Sequence, residues 1–356
     1  MKKLLMLLVP FVVVSCGKGK VKEEVNADSA MVKLITVDPG HFHAALVQKI
    51  MYDQVSPVVH VYAPEGPDLQ QHLDRINSYN NRPDNPTSWN EMVHAGPDFF
   101  ENMLKTKPGN VVVLSGNNRK KAEYITRSIN AGLNVLADKP MIIRPEDFPV
   151  LEEAFKAAAE KGVLLYDIMT ERYEVNTILQ KLLSMKPEIF GTLQKGTEKE
   201  PAVTKISVHH FSKLVSGVPL TRPAWFFDVE QQGDGIVDVT THLCDLIQWE
   251  CFPEQILNPS DISMISARRW PTAITADDFK KVTGYDTYPD YLRKDVKDDK
   301  LNVFANGEMV YKIKDVFAKV SVEWHFMPPA GGGDTHYSLM HGTNCDLIIR
   351  QGAEEK

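Results

Sequence analysis

The first half of the chain alternates continuous apolar runs with stretches of helical patterning, and this alternation limits the fold more than any other feature. The apolar runs are residues 32–37, 57–63, 110–115, 134–137 and 163–166. Runs of this kind are typical of strands buried on both faces of a parallel sheet. Strands that alternate with helices predict a doubly wound sheet, whose ligands bind at the carboxyl ends of the strands.

Helices are predicted between these strands from their patterning and end signals. They cover residues 97–107, 119–131, 145–161 and 173–185, and a further helix-like stretch after the first strand ends at Met51. Residues 79–96 are rich in Asn and Pro, which predicts an irregular loop inserted at the rim of the domain.

The turn after the first strand resembles a defective dinucleotide-binding fingerprint. Of the three glycines in G-x-G-x-x-G only the middle one, Gly40, is present, since Asp38 and His43 stand at the other two positions. Gly40 is the glycine that would let the backbone approach a pyrophosphate. A strand–turn–helix without a ligand explains this turn equally well. After the second strand, Glu65 could bind ribose hydroxyls, about two residues from the usual place.

The second half of the chain has strand-like runs separated by long connections. They are residues 205–211, 262–267, 310–315 and 318–326, with a last strand within 338–349. The fold class is therefore α/β, with an N-terminal Rossmann sheet over residues 32–168. An α+β domain over residues 169–356 is predicted to carry a large, mostly antiparallel open sheet and one inserted helix around His242.

The first residues have the pattern of a targeting segment. Lys2 and Lys3 precede an apolar run, residues 4–14, that is too short to span a bilayer. The run ends at Val13-Val14-Ser15-Cys16-Gly17, which resembles the bacterial lipobox. We expect residues 1–16 to be a lipoprotein signal peptide and residues 17–31 a disordered tether. The protein would then be anchored outside the cytoplasm by lipid on Cys16.

Charge and cysteine content exclude some classes of partner. The net charge is −7 and no long basic block occurs, which argues against a nucleic-acid partner. Cys244, Cys251 and Cys345 have no metal-like spacing and are interpreted as mostly free thiols.

Asp238, His242 and Asp245 follow one another at spacings of four and three. On a helix these side chains fall within an arc of about 60°. Two carboxylates beside the imidazole would raise its pKa and fix its tautomer, as a proton-transfer group requires. On spacing alone, a helix N-terminal carboxylate, a solvated His and a surface Asp are the favoured explanation. A metal site at these residues is not predicted, because zinc prefers more His or Cys ligands.

Two separated motifs together resemble a known family. Residues 138–140, Asp-Lys-Pro, are followed by the pattern G-x-x-D-x-x-x-H-x-x-D from Gly235 to Asp245. These motifs resemble the glucose–fructose oxidoreductase, inositol dehydrogenase and rhizopine-catabolism family, which has Glu-Lys-Pro and a glycine-rich turn leading into Asp-x-x-x-His-x-x-Asp. Asn118, Trp225 and residues 131–136, 190–193 and 341–343 are also similar, so the resemblance covers residues 32–351.

The resemblance implies NAD or NADP as cofactor and a sugar or cyclitol as substrate. His242 would accept the hydroxyl proton as hydride leaves the same carbon, and Asp238 would orient His242 or bind the substrate. Lys139 would donate to the reacting oxygen, with a Lys139–Pro140 bond that is cis. The cofactor-binding residues implied are Gly40, His41, Phe42, Ser115, Asn118, Asp138 and Lys139, with N–H groups near Gly40, His41 and Phe42 facing the pyrophosphate. Family members form dimers or tetramers through the open sheet face.

Three functional hypotheses follow from the sequence. The first is an NAD(P)-dependent oxidoreductase acting on a secondary alcohol of a sugar, glycoside or cyclitol, with a cofactor retained through turnover because free dinucleotide is scarce outside the cytoplasm. The second is an NAD-dependent glycosidase of the oxidation–elimination type. The third is a non-catalytic carbohydrate-binding protein with a decayed nucleotide site. His41 and His43 are interpreted as polar turn residues, and of the pair His209 and His210 at most one ring can face a cleft.

Overall fold

The computed structural model describes residues 32–215, 218–330 and 332–352. The predicted signal peptide, the tether and Cys16 lie outside this range. Within the described residues, no helix combines the length and the apolar character needed to cross a membrane.

A six-stranded parallel sheet forms the N-terminal part. Its strands are β1 (Leu34–Val37), β2 (Val58–Ala63), β3 (Asn90–Ala95), β4 (Val111–Leu114), β5 (Asn134–Asp138) and β6 (Leu165–Ile168). Its helices are α1 (His43–Leu46), α2 (Pro67–Asn81), α3 (Phe99–Thr106), α4 (Lys121–Asn130) and α5 (Phe148–Lys161). The strand order is β3-β2-β1-β4-β5-β6. The order reverses between β1 and β4, so their carboxyl ends border the crevice where such sheets bind ligands.

The predicted doubly wound sheet is confirmed, but two local predictions are wrong. Residues 79–96 are not an irregular loop, because 79–81 complete α2 and 90–95 form β3. β3 is a largely exposed edge strand in which polar and apolar residues are mixed, so it lacks the continuous apolar run of the inner strands. The first helix ends at Leu46, well before Met51.

The C-terminal part is built on a seven-stranded sheet. Its elements are α6 (Val175–Ser184), β7 (Val203–His210), β8 (Leu214–Val215), β9 (Val218–Pro219), α7 (Val239–Cys251), β10 (Ile262–Ile274), α8 (Ala276–Thr283), β11 (Val296–Lys297), β12 (Lys300–Ile313), β13 (Val316–His325), β14 (Thr335–His341) and β15 (Asp346–Gln351). The order is β10-β12-β13-β7-β14-β15, β11 pairs with β12, and β8 and β9 form a separate hairpin. Only the β7–β13 pair in this sheet is parallel among the described strands. The predicted mostly antiparallel sheet is thus confirmed, with two final strands where one was expected.

Helix α7 is the element that brings the C-terminal part to the ligand edge of the first sheet. Its preceding turn is fixed by Gly235, whose N–H donates to Phe304 O at 2.9 Å. A Cβ on Gly235 would lie 2.1 Å from Ala305 O, so only glycine allows this approach to β12. The turn delivers Asp238 to the start of α7, facing the chain that leaves β5.

Candidate active site

A buried ion pair joins the two halves of the protein. Lys139 directly follows β5, through a cis peptide bond to Pro140, and Asp238 immediately precedes α7. Lys139 Nζ donates to Asp238 Oδ1 at 2.7 Å, and both residues are less than a tenth exposed. Burial alone would raise the pKa of Asp238, but the Lys139 ammonium and its hydrogen bond lower the pKa to about 2. The carboxylate therefore stays ionised and holds the ammonium in place.

His242 lies one turn into α7 and shares a cavity with this pair. Its Nδ1 atom is buried and has no hydrogen-bond partner within the described structure. Burial, followed by the charge of Lys139, holds the pKa of His242 well below its ordinary value. The imidazole is therefore neutral and can accept a proton. We call Lys139, Asp238 and His242 the inter-domain cluster.

Two expectations about His242 are wrong. Its pKa is lowered, because burial outweighs the nearby carboxylates. The two carboxylates do not flank the imidazole either, since Asp238 binds Lys139 and Asp245 accepts hydrogen bonds from Arg172. Asp238 does not share a helix face with His242, because α7 begins only at Val239. Asp238 is the cap residue, with a non-helical backbone.

The cavity beside the inter-domain cluster has a volume of about 1210 Å³. This volume is ample for a sugar or a larger glycoside. On another part of its lining, Asp334 is surrounded by three cationic or imidazole groups. His210 Nδ1 and His209 Nδ1 lie 3.0 Å and 3.2 Å from its carboxylate oxygens, and Lys213 donates to it as well. His209 lines the cavity whereas His210 does not. We call these four residues the Asp334 cluster.

A buried arginine stiffens the same region of the cavity. Arg222 donates to Phe211 O at 2.7 Å and to His210 O at 2.9 Å. Its guanidinium also lies over the rings of Phe226 and Trp324, which both line the cavity. Burial lowers the pKa of Arg222 to about 10. Aromatic faces beside fixed polar groups suit a ligand that has apolar ring faces and hydroxyl edges.

No sequence motif indicates Asp334, Lys213, Arg222 or Trp324. Each lies on a different element or loop, and none belongs to a motif with characteristic spacing. The signal in the sequence is the pair His209-His210, of which at most one ring is predicted to face a cleft.

The predicted phosphate turn is closed in this structure. The N–H groups of Gly40 and His41 both donate to Ser115 O at 3.1 Å. A Cβ on Gly40 would lie 2.8 Å from Trp225 Cζ2 and 3.0 Å from Asp68 Oδ2. Trp225 Nε1 donates to that same Asp68 oxygen at 2.6 Å. The space that glycine leaves is thus filled by an indole ring and a carboxylate from this chain.

The other predicted cofactor-binding residues have internal partners. Ser115 Oγ donates to Asp138 Oδ2 at 2.8 Å. Asn118 Nδ2 donates to Gln232 O at 2.6 Å and its N–H donates to Gln231 O, so this residue ties the first sheet to the segment before α7. Phe42 lines the cavity, and Glu65 is exposed.

Two histidines gather around the Asp138 carboxylate. His43 Nδ1 lies 3.0 Å from Oδ1, and His41 Nδ1 lies 3.0 Å from Oδ2. Burial would raise the pKa of Asp138, but these imidazoles hold it well below its ordinary value. Burial and the neighbouring His43 lower the pKa of His41 to about 4. We call His41, His43 and Asp138 the His41 cluster, which goes beyond the polar turn that the sequence predicted.

Comparisons with known proteins agree with this architecture. Residues 179–356 match the family model "Putative oxidoreductase C terminal domain". A crystal structure of a "putative oxidoreductase" from Parabacteroides merdae is 58% identical, with a TM-score of 0.89, over 91% of this chain and 74% of that one. A search of curated proteins finds no match.

More distant solved structures share the fold. The WlbA dehydrogenase from Bordetella pertussis, solved with NADH and UDP-GlcNAcA, is 14% identical with a TM-score of 0.54, over 90% of this chain and 80% of that one. The scyllo-inositol dehydrogenase from Lactobacillus casei is 14% identical with a TM-score of 0.53, over 90% and 75%.

Proposed function

The chain belongs to the oxidoreductase family defined by that C-terminal domain, and we propose that it transfers a hydride between NAD or NADP and a secondary alcohol of a sugar, glycoside or cyclitol. The observation that carries this proposal is the inter-domain cluster at the edge of a sugar-sized cavity. The distant relatives WlbA and scyllo-inositol dehydrogenase, by name, act as dehydrogenases, which supports the same class of chemistry.

Each member of the inter-domain cluster has a defined task in this chemistry. The neutral His242 accepts the proton of the substrate hydroxyl. Lys139 donates to the same oxygen and stabilises the negative charge that develops there. Asp238 orients Lys139 and keeps it charged. A bound nicotinamide would supply the hydride acceptor.

The residues around Lys139 and His242 fit such a cofactor, whereas the residues around the phosphate turn at Gly40 obstruct it. Lys139 uses one of its three N–H donors for Asp238, and His242 Nδ1 has no partner in the described structure. The two side chains therefore offer a donor and a proton acceptor to a substrate beside the cofactor. At the phosphate turn, however, Trp225 and Asp68 cover Gly40. The indole N–H of Trp225 donates to a carboxylate oxygen of Asp68 beside the turn. The position thus already holds an anionic group, and that group belongs to this chain. Binding of a dinucleotide therefore requires that the Asp68–Trp225 contact opens.

Removing the charge of Asp68 is expected to strengthen cofactor binding. In Asp68→Asn the isosteric amide no longer repels a pyrophosphate, a repulsion of about 1–4 kcal/mol for charges about 4 Å apart. We expect the Kd for NADH or NADPH to fall about tenfold, measured by fluorescence titration at one fixed salt concentration.

Asp74→Asn provides a matched control for this variant. Asp74 lies on the same helix α2, is exposed, and accepts a hydrogen bond from Gln70. It should leave the Kd unchanged. Equal or weaker binding by Asp68→Asn would show that this carboxylate does not compete with the phosphates.

The pH dependence of oxidation should reflect the lowered pKa of His242. A histidine with the ordinary pKa of about 6.5 would lose a factor of ten in rate for each pH unit below that value. Because burial lowers the pKa of His242, the imidazole stays deprotonated below the ordinary value, and we expect kcat/KM to stay flat as the pH falls through about 6.5. The measurement is a pH–rate profile, with folding checked at each pH by circular dichroism. A decline centred near pH 6.5 that disappears in His242→Gln would contradict this expectation.

A second candidate function is carbohydrate binding without a dinucleotide. The closed phosphate turn favours it, since both turn N–H groups are bound to Ser115 O. Mass spectrometry of the supernatant from denatured protein separates the two candidates. A co-purified dinucleotide supports the oxidoreductase, whereas its absence, together with no binding of added NADH or NADPH, supports the second candidate.

The proposed location follows from the leader alone. Anchoring by lipid on Cys16 would place the cavity outside the cytoplasm. A cofactor retained through turnover agrees with that location, and the open face of the C-terminal sheet is the surface where we propose that copies of the chain associate.

A further inference from the structure

We propose that His41, His43 and Asp138 form a binding site for a divalent first-row transition-metal ion that opens into the carbohydrate cavity. His41 and Asp138 are also among the cofactor-binding residues that the resemblance implies. The metal site itself is argued from its three ligands, and only the role of the ion toward a sugar rests on the proposed function. Its ligands are one nitrogen from each imidazole and the carboxylate of Asp138.

The spacing of these three groups matches a shared ion. The ligand atoms all lie within 4.8 Å of one another, and each imidazole Nδ1 is 3.0 Å from an oxygen of Asp138. Ligand atoms bound at about 2.1 Å to one ion are separated by about 3.0–3.4 Å. The two nitrogen–oxygen distances therefore already have the value expected in a coordination shell.

One of these contacts is not satisfied as a hydrogen bond. His41 Nδ1 is buried and lacks a hydrogen-bond partner in the described structure, although Asp138 Oδ2 lies only 3.0 Å away. An ion bound by both atoms would give His41 Nδ1 the partner that it lacks. A buried polar atom without a partner is otherwise unfavourable.

Neighbouring residues form hydrogen bonds to Asp138 like those that usually orient metal-binding side chains. Ser115 Oγ donates to Asp138 Oδ2 at 2.8 Å, which fixes the carboxylate plane. The Lys121 ammonium donates to the main-chain oxygens of Asp138 and Pro140, at 3.0 Å and 3.1 Å. These contacts orient the end of β5 without using the carboxylate oxygen that faces His43.

The donor set selects the class of ion. Two imidazoles and one carboxylate are typical of zinc and of non-haem iron(II) sites that keep open positions. The charge of Asp238 is balanced by its ion pair with Lys139, and the Lys121 ammonium lies against the main-chain oxygen of Asp138. A site without excess negative charge and with two nitrogen ligands does not favour Mg²⁺ or Ca²⁺, which prefer oxygen ligands.

The open positions of the ion would face the substrate. His41 and His43 line the same cavity as Lys139 and His242. Two neighbouring hydroxyl oxygens of a carbohydrate are suitable ligands for such positions. The ion would thus orient the sugar ring beside the inter-domain cluster.

The test is titration of metal-free protein with Zn²⁺ by isothermal titration calorimetry. We expect one equivalent to bind with a Kd of about 1 μM or tighter, and Mg²⁺ not to bind. His41→Gln and Asp138→Asn should each weaken Zn²⁺ binding at least a hundredfold. Because Asp138 is buried, melting temperatures of the variants are compared, and His41→Gln, which is partly exposed, serves where Asp138→Asn fails to fold.

His94→Gln is the matched control, because His94 and His60 form another close histidine pair, 3.0 Å apart, on the same sheet. It should bind Zn²⁺ as the unchanged protein does. Failure of the unchanged protein to bind Zn²⁺, or loss of binding in His94→Gln alone, would overturn the proposed site. NADH titration of the same samples tests the oxidoreductase proposal separately, so that either proposal can fail alone.

Discussion

Replacing Lys139 with methionine is expected to lower kcat for carbohydrate oxidation about a thousandfold. Methionine fills a similar volume but cannot donate to the oxygen on which negative charge develops. Loss of one such donor in a buried site lowers kcat by about 10²–10³, and the variant also removes the partner that orients Asp238. The measurement is the rate of nicotinamide reduction with a panel of sugars, glycosides and cyclitols.

A loss of activity could also come from a loss of folding. Lys139→Met leaves Asp238 buried without its counter-ion, which destabilises a protein by about 3–5 kcal/mol. In the double variant Lys139→Met/Asp238→Asn both charges are gone, so stability should largely return. Activity should not return, because the donor is still missing.

Lys156→Met controls for the loss of a lysine as such. Lys156 lies on α5 with a side chain that is 65% exposed. Its replacement should leave kcat and stability unchanged. Activity in the stable double variant within about threefold of the unchanged protein would refute the assigned role of Lys139.

The sequence patterns predict those strands that are buried on both faces of the sheet. Inner strands such as β1 and β4 are buried on both faces and therefore read as continuous apolar runs. β3 pairs with only one neighbour and mixes polar with apolar residues, so no pattern distinguishes it from a loop. The meeting of Lys139 and Asp238 was predictable only from the resemblance of two motifs, because no local rule connects residues 99 positions apart.

Properties that depend on burial were not predictable in the same way. The spacing of Asp238, His242 and Asp245 indicates nearby carboxylates and thus a raised pKa for His242. The structure shows burial as the larger effect, and it directs both carboxylates to other partners. The contact between Asp68 on α2 and Trp225 likewise joins residues 157 positions apart and has no signature in the sequence.

A second buried ion pair governs the stability of the cavity lining. Lys205 on β7 and Glu250 on α7 have fully buried side chains, with Nζ 2.8 Å from Oε2. Lys205 Nζ also donates to Ser338 Oγ at 2.7 Å and to Gln180 Oε1 at 3.3 Å. Burial raises the pKa of Glu250, and Lys205 opposes this shift. The pair therefore fixes α7, and with it His242, against the sheet.

Lys205→Met is expected to lower the free energy of unfolding by about 3–5 kcal/mol, because it leaves Glu250 buried without its counter-ion. In Lys205→Met/Glu250→Leu, apolar side chains of similar volume replace both charges, and stability should return to within about 1 kcal/mol of the unchanged protein. Urea denaturation followed by circular dichroism measures both changes. Additive losses in the double variant would show that the two side chains do not act as a pair, since residues in contact are expected to deviate from additivity.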